Sequence, residues 1–292
     1  MARENPIIEL KNLSYKYSSS DSKALENIDL TINAGEKIAI LGANGAGKST
    51  LFKHLNGILS PSSGEVAIKG DTISKKTIRK ARQTVGIVFQ NPDDQVFSPT
   101  VEEDVAFGPM NMGLPEDEVE ERIRTSLELV NLKGFEKRAP HHLSGGQKKL
   151  VAIAGVLAMR PEVVVLDEPT AGLDPINAAQ VMDIIDRMNR DLNMTVVLST
   201  HDVDIIPAFA DRICILDHGK ILATGTPKEI FRDHNLIQKA HLRMPRIAEV
   251  FELLQKEGID AQIQIAPTDA RDEIIRVLDQ GRIQNKMQDS AE

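Results

Sequence analysis

Two stretches of this chain carry residue types whose spacing suits phosphate binding and water activation. Gly42-Ala43-Asn44-Gly45-Ala46-Gly47-Lys48-Ser49-Thr50 fits the pattern G-x-x-x-x-G-K-[ST]. Glycines so placed let backbone N–H groups turn inward around phosphate oxygens, and a following helix adds the positive end of its dipole. Lys48 supplies a point charge for β- and γ-phosphates. Ser49 offers a hydroxyl to Mg²⁺, a hard ion that prefers oxygen. The second stretch, Val163-Val164-Val165-Leu166-Asp167-Glu168, is four apolar residues closed by two acids. At the carboxyl end of a parallel strand, Asp167 would lie near Mg²⁺, and Glu168 would act as the base that polarises an attacking water.

These groups need a sheet to place them. Residues 37–41 read as a continuous apolar strand running into the glycine loop, with a helix expected over 48–56. Further strands are expected at 7–10, 24–32, 64–69, 85–90, 163–166, 195–199 and 212–216, and a helix at 178–189. Apolar strands alternating with helices predict an α/β fold with a mostly parallel central sheet. The earliest strands alternate apolar and polar residues, which suits an antiparallel β subdomain. Residues 91–143 carry Pro92, Pro99, Pro109 and Pro115 and then a helix over 116–131 whose first turn is acidic (Glu116, Asp117, Glu118). We read a helical insertion at about 91–155 within an ATPase domain of residues 1–229. Residues 230–292 form a helical extension, with apolar residues Ile247, Val250, Phe251 and Leu254 on one helix face over 242–256, a helix over 270–278 and a frayed end over 284–292.

Composition narrows the partners. Lys+Arg is 35 and Asp+Glu 43, for a net charge of −8, and aromatics are 3% with no tryptophan. Base-stacking nucleic-acid binders are usually basic and richer in aromatics. The single cysteine, Cys214, lies in an apolar stretch and excludes a disulfide framework. No apolar run reaches the roughly 20 residues of a spanning helix, and the first six residues hold no apolar signal core. A cytoplasmic protein is expected, bound to a membrane only through partners.

Leu143-Ser144-Gly145-Gly146-Gln147 completes a set. With the glycine loop and the acidic strand end, it resembles the nucleotide-binding subunit of ATP-binding cassette (ABC) transporters over residues 5–230. The resemblance implies a P-loop NTPase fold and ATP with Mg²⁺ as ligands. It implies that Gln90 senses Mg²⁺ and the transporter, so that Ser49, Gln90 and Asp167 form the metal set. It also implies that Asp174, in Ala171-Gly172-Leu173-Asp174-Pro175, crosses a dimer interface, and that His201 contacts the γ-phosphate. Two subunits would sandwich two ATPs, each between one chain's phosphate loop and the other's Ser144, Gly145, Gly146 and Gln147. The family places an aromatic before the loop to stack on adenine. Tyr17 aligns better than Tyr15. Many members have arginine where Leu150 stands.

Gln90-Asn91-Pro92-Asp93-Asp94-Gln95-Val96-Phe97, with the segment 100–109, is similar to the ATPase subunit of energy-coupling-factor (ECF) importers, which take up vitamins or transition-metal ions. This implies a groove for coupling helices of a transmembrane subunit beside a substrate-binding membrane subunit. Val96, Phe97 and Phe107 would give apolar contacts there, and Asp93, Asp94, Glu102, Glu103 and Asp104 would pair with arginines. The segment 240–247 resembles cobalt- and nickel-type members, whose C-terminal helices hold the ATPase dimer together. Cobalt is favoured over nickel and a vitamin, and the dimer stays open between homodimer and heterodimer. A soluble ABC ATPase of DNA repair is disfavoured, because residues 49–143 are too few for the coiled coil that splits its motifs. One of translation carries two cassettes, and this chain has one loop. A binding module without turnover is disfavoured by the presence of both Glu168 and His201.

Overall fold

The computed structural model describes residues 5–289, so Met1–Glu4 and the last three residues of the expected frayed end lie outside the described residues. Strands β1 (Pro6–Tyr15) and β2 (Leu25–Asn33) pair antiparallel. Strand β3 (Lys37–Leu41) runs through the glycine loop into helix α1 (Lys48–Leu55). Strand β4 (Ser63–Ile68) returns to β1, β5 (Asp71–Thr72) pairs with β4, and helix α2 (Ile78–Thr84) leads into β6 (Val85–Val88). Helices α3 (Val101–Met112), α4 (Glu116–Leu129) and α5 (Gly145–Ala158) form the insertion. There follow β7 (Val163–Asp167), α6 (Pro175–Arg190), β8 (Thr195–Ser199), α7 (Ile206–Phe209), β9 (Arg212–Asp217) and β10 (Lys220–Gly225). Helix α8 (Pro227–Ile230) leads into the extension, which holds α9 (His234–Lys239), α10 (Arg246–Lys256) and α11 (Pro267–Asp289).

Among the described residues the strands make two sheets. One is antiparallel, in the order β2-β1-β4-β5; the other has the order β10-β9-β3-β8-β7-β6 and is parallel except at its β10 edge. Away from its β10 edge the second sheet is buried on both faces, so its inner strands are dominated by apolar residues. In β7, Val163 and Val165 join the core shared with α1 and the antiparallel sheet, while Val164 and Leu166 join the core under the helices. In β9, Cys214 and Leu216 face the first core, and Ile213 and Ile215 the second.

Three expectations are corrected. Gln90 lies beyond the end of β6 at Val88, on a bend. Helix α10 begins only at Arg246, because Pro245 disfavours helical backbone in the residue before it; its buried residues are Ala248 and Phe251, whereas Val250 is exposed. The chain over 284–289 is helical rather than frayed. The β5, α2, α3 and β10 elements had no assignment in the sequence reading. They are short, or, like Pro109-containing α3, broken in pattern. Residues Ile230, Phe231, Ile237 and Ala248 of the extension pack into the main core, and Phe251, Ala261 and Ala270 form a small satellite core.

Candidate functional site: a strand-end cluster of Lys48, Gln90, Asp167, Glu168 and His201

The glycine loop can close only without side chains at two points. At Gly42 (φ 153) a Cβ would stand 2.1 Å from the Leu216 carbonyl oxygen, and at Gly47 (φ 110) 2.8 Å from that of Ala24. The loop so held delivers Lys48 to the start of α1, 6% exposed, where its Nζ donates to the carbonyls of Gly42 (2.8 Å) and Ala43 (3.1 Å). Burial pushes the Lys48 ammonium below the ordinary lysine value, against the pull of Glu168 and Asp167. Ala46 is buried; Asn44, Gly45 and Ser49 are exposed, and Thr50 is half-buried.

Strand β7 ends at Asp167, in register with Ser199 of β8. The Ser199 hydroxyl donates to Asp167 Oδ1 (2.6 Å) and accepts from the Glu168 N–H (3.0 Å). One hydroxyl thus fixes both acids. Glu168 has φ 46, a left-handed backbone that is uncommon for a residue with a side chain. Its carboxylate is clamped: Gln90 Nε2 donates to Oε2 (2.9 Å), and His201 Nε2 lies 2.7 Å from Oε1. Glu168, Thr170, Leu173, Thr200 and His201 line an open cleft of about 580 Å³. The structure therefore brings together Gln90, Asp167, Glu168 and His201, and the Lys48 charge acts on both acids.

Ser144, Gly145, Gly146 and Gln147 form a separate feature at the start of α5. The Ser144 hydroxyl accepts from the Gln147 N–H (3.3 Å), and the Gln147 side chain accepts from the Ser144 N–H (3.1 Å), a capping box. Among the described residues, no hydrogen bond or ion pair joins these four to the glycine loop. Asp174 caps α6, accepting from the N–H groups of Ile176 and Asn177 (3.0 Å each). These bonds, Asn177 first, hold its carboxyl below the usual range.

Tyr17 places its hydroxyl 3.1 Å from Thr50 Oγ1 and meets Tyr15 edge-on at 4.9 Å. Tyr15 packs edge-on against the buried His54 at 4.8 Å. His54 holds Nδ1 2.8 Å from the Thr50 carbonyl oxygen, and its basicity is lowered chiefly by burial.

Phe97 and Phe107, 66% and 52% exposed, meet edge-on at 5.1 Å and with Val96 line a groove of about 380 Å³. Asp93 pairs with Lys148 (2.6 Å), and Asn91 donates to Asp94 (3.4 Å). Asp104 accepts from the Phe97 and Ser98 N–H groups (3.1 Å each), and Glu102 pairs with Lys137 (2.5 Å). Four of the five acids expected to face a partner are thus engaged within the chain.

Ser199, His54 and Lys149 belong to no motif that marks them in the sequence. Lys149 is 1% exposed, and its Nζ donates to the carbonyls of Phe89 (3.2 Å) and Gln90. Its neighbour Leu150 is buried in the main core. A polar anchor is therefore present one position before the place where an arginine was expected. A second lysine directly before the apolar run that starts at Leu150 was the available signal.

A family model described as "ABC transporter" matches residues 25–171. The chain belongs to the ABC transporter family. It is 54% identical over 274 residues to the energy-coupling factor transporter ATP-binding protein EcfA of Methanothermobacter thermautotrophicus, covering 93% of this chain and 88% of that protein. The solved structure of CbiO1 from Clostridium perfringens, described as part of the ABC transporter complex CbiONQ, is 45% identical with a TM-score of 0.72, covering 85% of this chain and all of that one. A dimeric ATP-binding cassette in a post-hydrolysis state with ADP and Pi is 30% identical, TM-score 0.68, covering 75% of this chain and 98% of that one. Within the ABC family the chain is an ATP-hydrolysing subunit of the energy-coupling factor type. Among the described residues no helix is long and apolar enough to cross a membrane.

Proposed function

We propose that this ABC subunit powers an ECF importer for cobalt ions from the cytoplasmic face of the membrane, as an ATP-sandwich dimer. The observation that carries the reading is the Glu168 carboxylate clamped at the strand ends by Gln90 and His201, beside the buried Lys48. The residues fit a nucleotide. Lys48 is a buried ammonium paired only with backbone carbonyls of its own loop among the described residues, and it exchanges these for phosphate oxygens at little cost. Tyr17 offers the adenine a ring braced by Thr50 and Tyr15. Ser49, Gln90 and Asp167 present an all-oxygen set suited to Mg²⁺. When bound there, the ion would polarise the phosphate oxygens.

Glu168 takes the proton of the attacking water. Both its oxygens are engaged in this state. Each oxygen keeps a further acceptor site for the water, while Gln90 and His201 hold the carboxylate in place. His201, freed from Glu168, turns its Nε2–H to the γ-phosphate. The exposed Ser144 and Gly145 complete the site of a second copy, and Asp174 places the crossing loop between the two.

The groove of Val96, Phe97 and Phe107 receives the coupling helices of the transmembrane subunit, and the partly free Asp94 and Asp93 attract basic residues there. Residues 1–229 are the ATPase body, and residues 230–292 help hold the dimer. The cobalt assignment rests on the segment 240–247. With its membrane partners in vesicles, the chain should drive MgATP-dependent Co²⁺ uptake. Ni²⁺ or vitamin uptake without Co²⁺ uptake overturns the cargo alone. Reversing charge at Asp93 and Asp94 should reduce co-purification with the membrane subunit and leave ATP binding intact; unchanged co-purification refutes the groove.

A further inference from the structure

A second buried ammonium, Lys149 of α5, lies near enough to the strand-end cluster to feel the charges of Asp167 and Glu168. It lies five residues after Ser144, about 7.5 Å along the helix axis, and is fully enclosed. No carboxylate makes an ion pair with it among the described residues. Its Nζ instead donates to the consecutive carbonyls of Phe89 and Gln90. A buried ammonium in an otherwise apolar helix face is costly unless its hydrogen bonds are made. These two bonds therefore have little freedom to lapse. The preceding Lys148 pairs with Asp93 at 2.6 Å. Two successive lysines of α5 thus grip both ends of the segment 89–93, the inner one by backbone and the outer one by side chain.

The same Gln90 whose carbonyl is held by Lys149 donates its side-chain amide to Glu168. On the other side, Gln95 accepts from the Phe89 N–H (3.1 Å) and donates to the Ile87 carbonyl (3.1 Å), tying the bend to the groove loop. We infer that Lys149 is a positioning residue that locks the Gln90 bend to the helix starting at Ser144, so that movement of that helix and of the Gln90–Glu168 bond are one event. The inference rests on the role proposed above for Gln90. It gives the chain a direct link between the two features a dimer must bring together: the capped end of α5 and the acid at the end of β7. Leu150 cannot make this link, since it carries no donor and is packed in the core.

The test is a double-variant comparison on the full chain, reading MgATP turnover. Lys149→Met should lower kcat by about 10- to 100-fold, as a misplaced catalytic geometry does. KM for MgATP should stay within about twofold, because Lys149 does not touch the nucleotide. In the Gln90→Ala background, Lys149→Met should cost no more than about twofold further, since residues acting as one unit are not additive. Lys149→Gln, whose amide can donate to one carbonyl, should recover part of the loss and serves as the probe if the methionine variant does not fold. Wild-type kcat in folded Lys149→Met, or full multiplication of the two losses, overturns the link while leaving the site reading intact. Unchanged kcat in Gln90→Ala alone overturns that site reading itself.

Discussion

The strand-end cluster and the capped start of α5 are built in opposite ways. At the strand ends, each functional side chain is held by another: Ser199 fixes Asp167 and Glu168, and Gln90 and His201 clamp the carboxylate. At the start of α5, the side chains of Ser144 and Gln147 bond to each other's backbone N–H and, among the described residues, to no other side chain, and Ser144 and Gly145 face solvent. A hydroxyl accepting from a backbone N–H still has a proton to donate. Ser144 can therefore stay a helix cap while bonding to something outside the chain. One half is finished within the chain and the other is finished only by a neighbour.

The largest effect should come from the finished half. Glu168→Gln keeps the bond from Gln90 and removes the base, so turnover should fall by about 10²–10⁴-fold. MgATP should then hold the chain as a dimer in light scattering. A variant that stays monomeric with MgATP contradicts the sandwich.

The next test separates the halves. Lys48→Ala should abolish nucleotide binding, whereas Ser144→Arg should leave binding to the isolated chain intact and abolish turnover. Mixed in equal amounts, the two dead variants should recover about a quarter of wild-type turnover, because half the dimers then hold one intact site. Turnover by Ser144→Arg alone, or a mixture that stays silent while dimerising, breaks the comparison.

The two halves also differed in how far the sequence made them legible. The glycine loop was readable from the spacing of its glycines and lysine, His201 through the family resemblance, and Asp167 and Glu168 because they close an apolar strand, where a parallel sheet presents groups to a ligand. The doubly apolar strands were readable for the same reason: β3 and β8 were placed at their observed bounds. Ser199 was unreadable as a functional residue, since only the Asp167–Ser199 register shows that one hydroxyl serves two acids. Lys149 and Asp104 were misread or passed over because their partners are backbone groups, which no side-chain pattern reveals. The extension was least legible. Its helix α10 was started too early because apolar spacing outweighed the stop at Pro245.

A smaller effect tests the edge of the finished half. Tyr17 reaches Thr50 and Tyr15 does not, while Tyr15 is packed between Tyr17 and His54. Base stacking on an aromatic contributes about 1–3 kcal/mol. Tyr17→Ala should therefore weaken nucleotide binding by about 5- to 150-fold, and Tyr15→Ala by less, through loss of bracing. The opposite order in a titration with MgATP would assign the stacking role to Tyr15.

The smallest effect lies in the extension and bears on neither half. Glu273 of α11 is buried, accepts from the Gln262 N–H (2.5 Å) and pairs with Arg276 (2.6 Å). Arg276 first, and the Gln262 N–H second, hold its carboxyl down at about 2, against an ordinary value of 4.5. A depressed value means the contact is fully present above pH 4.5 and fades as pH falls toward 2. Glu273→Gln removes the charge at every pH. Pepsin should therefore cut the variant's extension faster than the wild type's near pH 4.5, with the gap closing toward pH 2. MgATP turnover at neutral pH should be unchanged, because the bond joins two parts of the extension and no group of the strand-end cluster. Equal cleavage at pH 4.5 would show that the satellite core of Phe251, Ala261 and Ala270 holds this end without it.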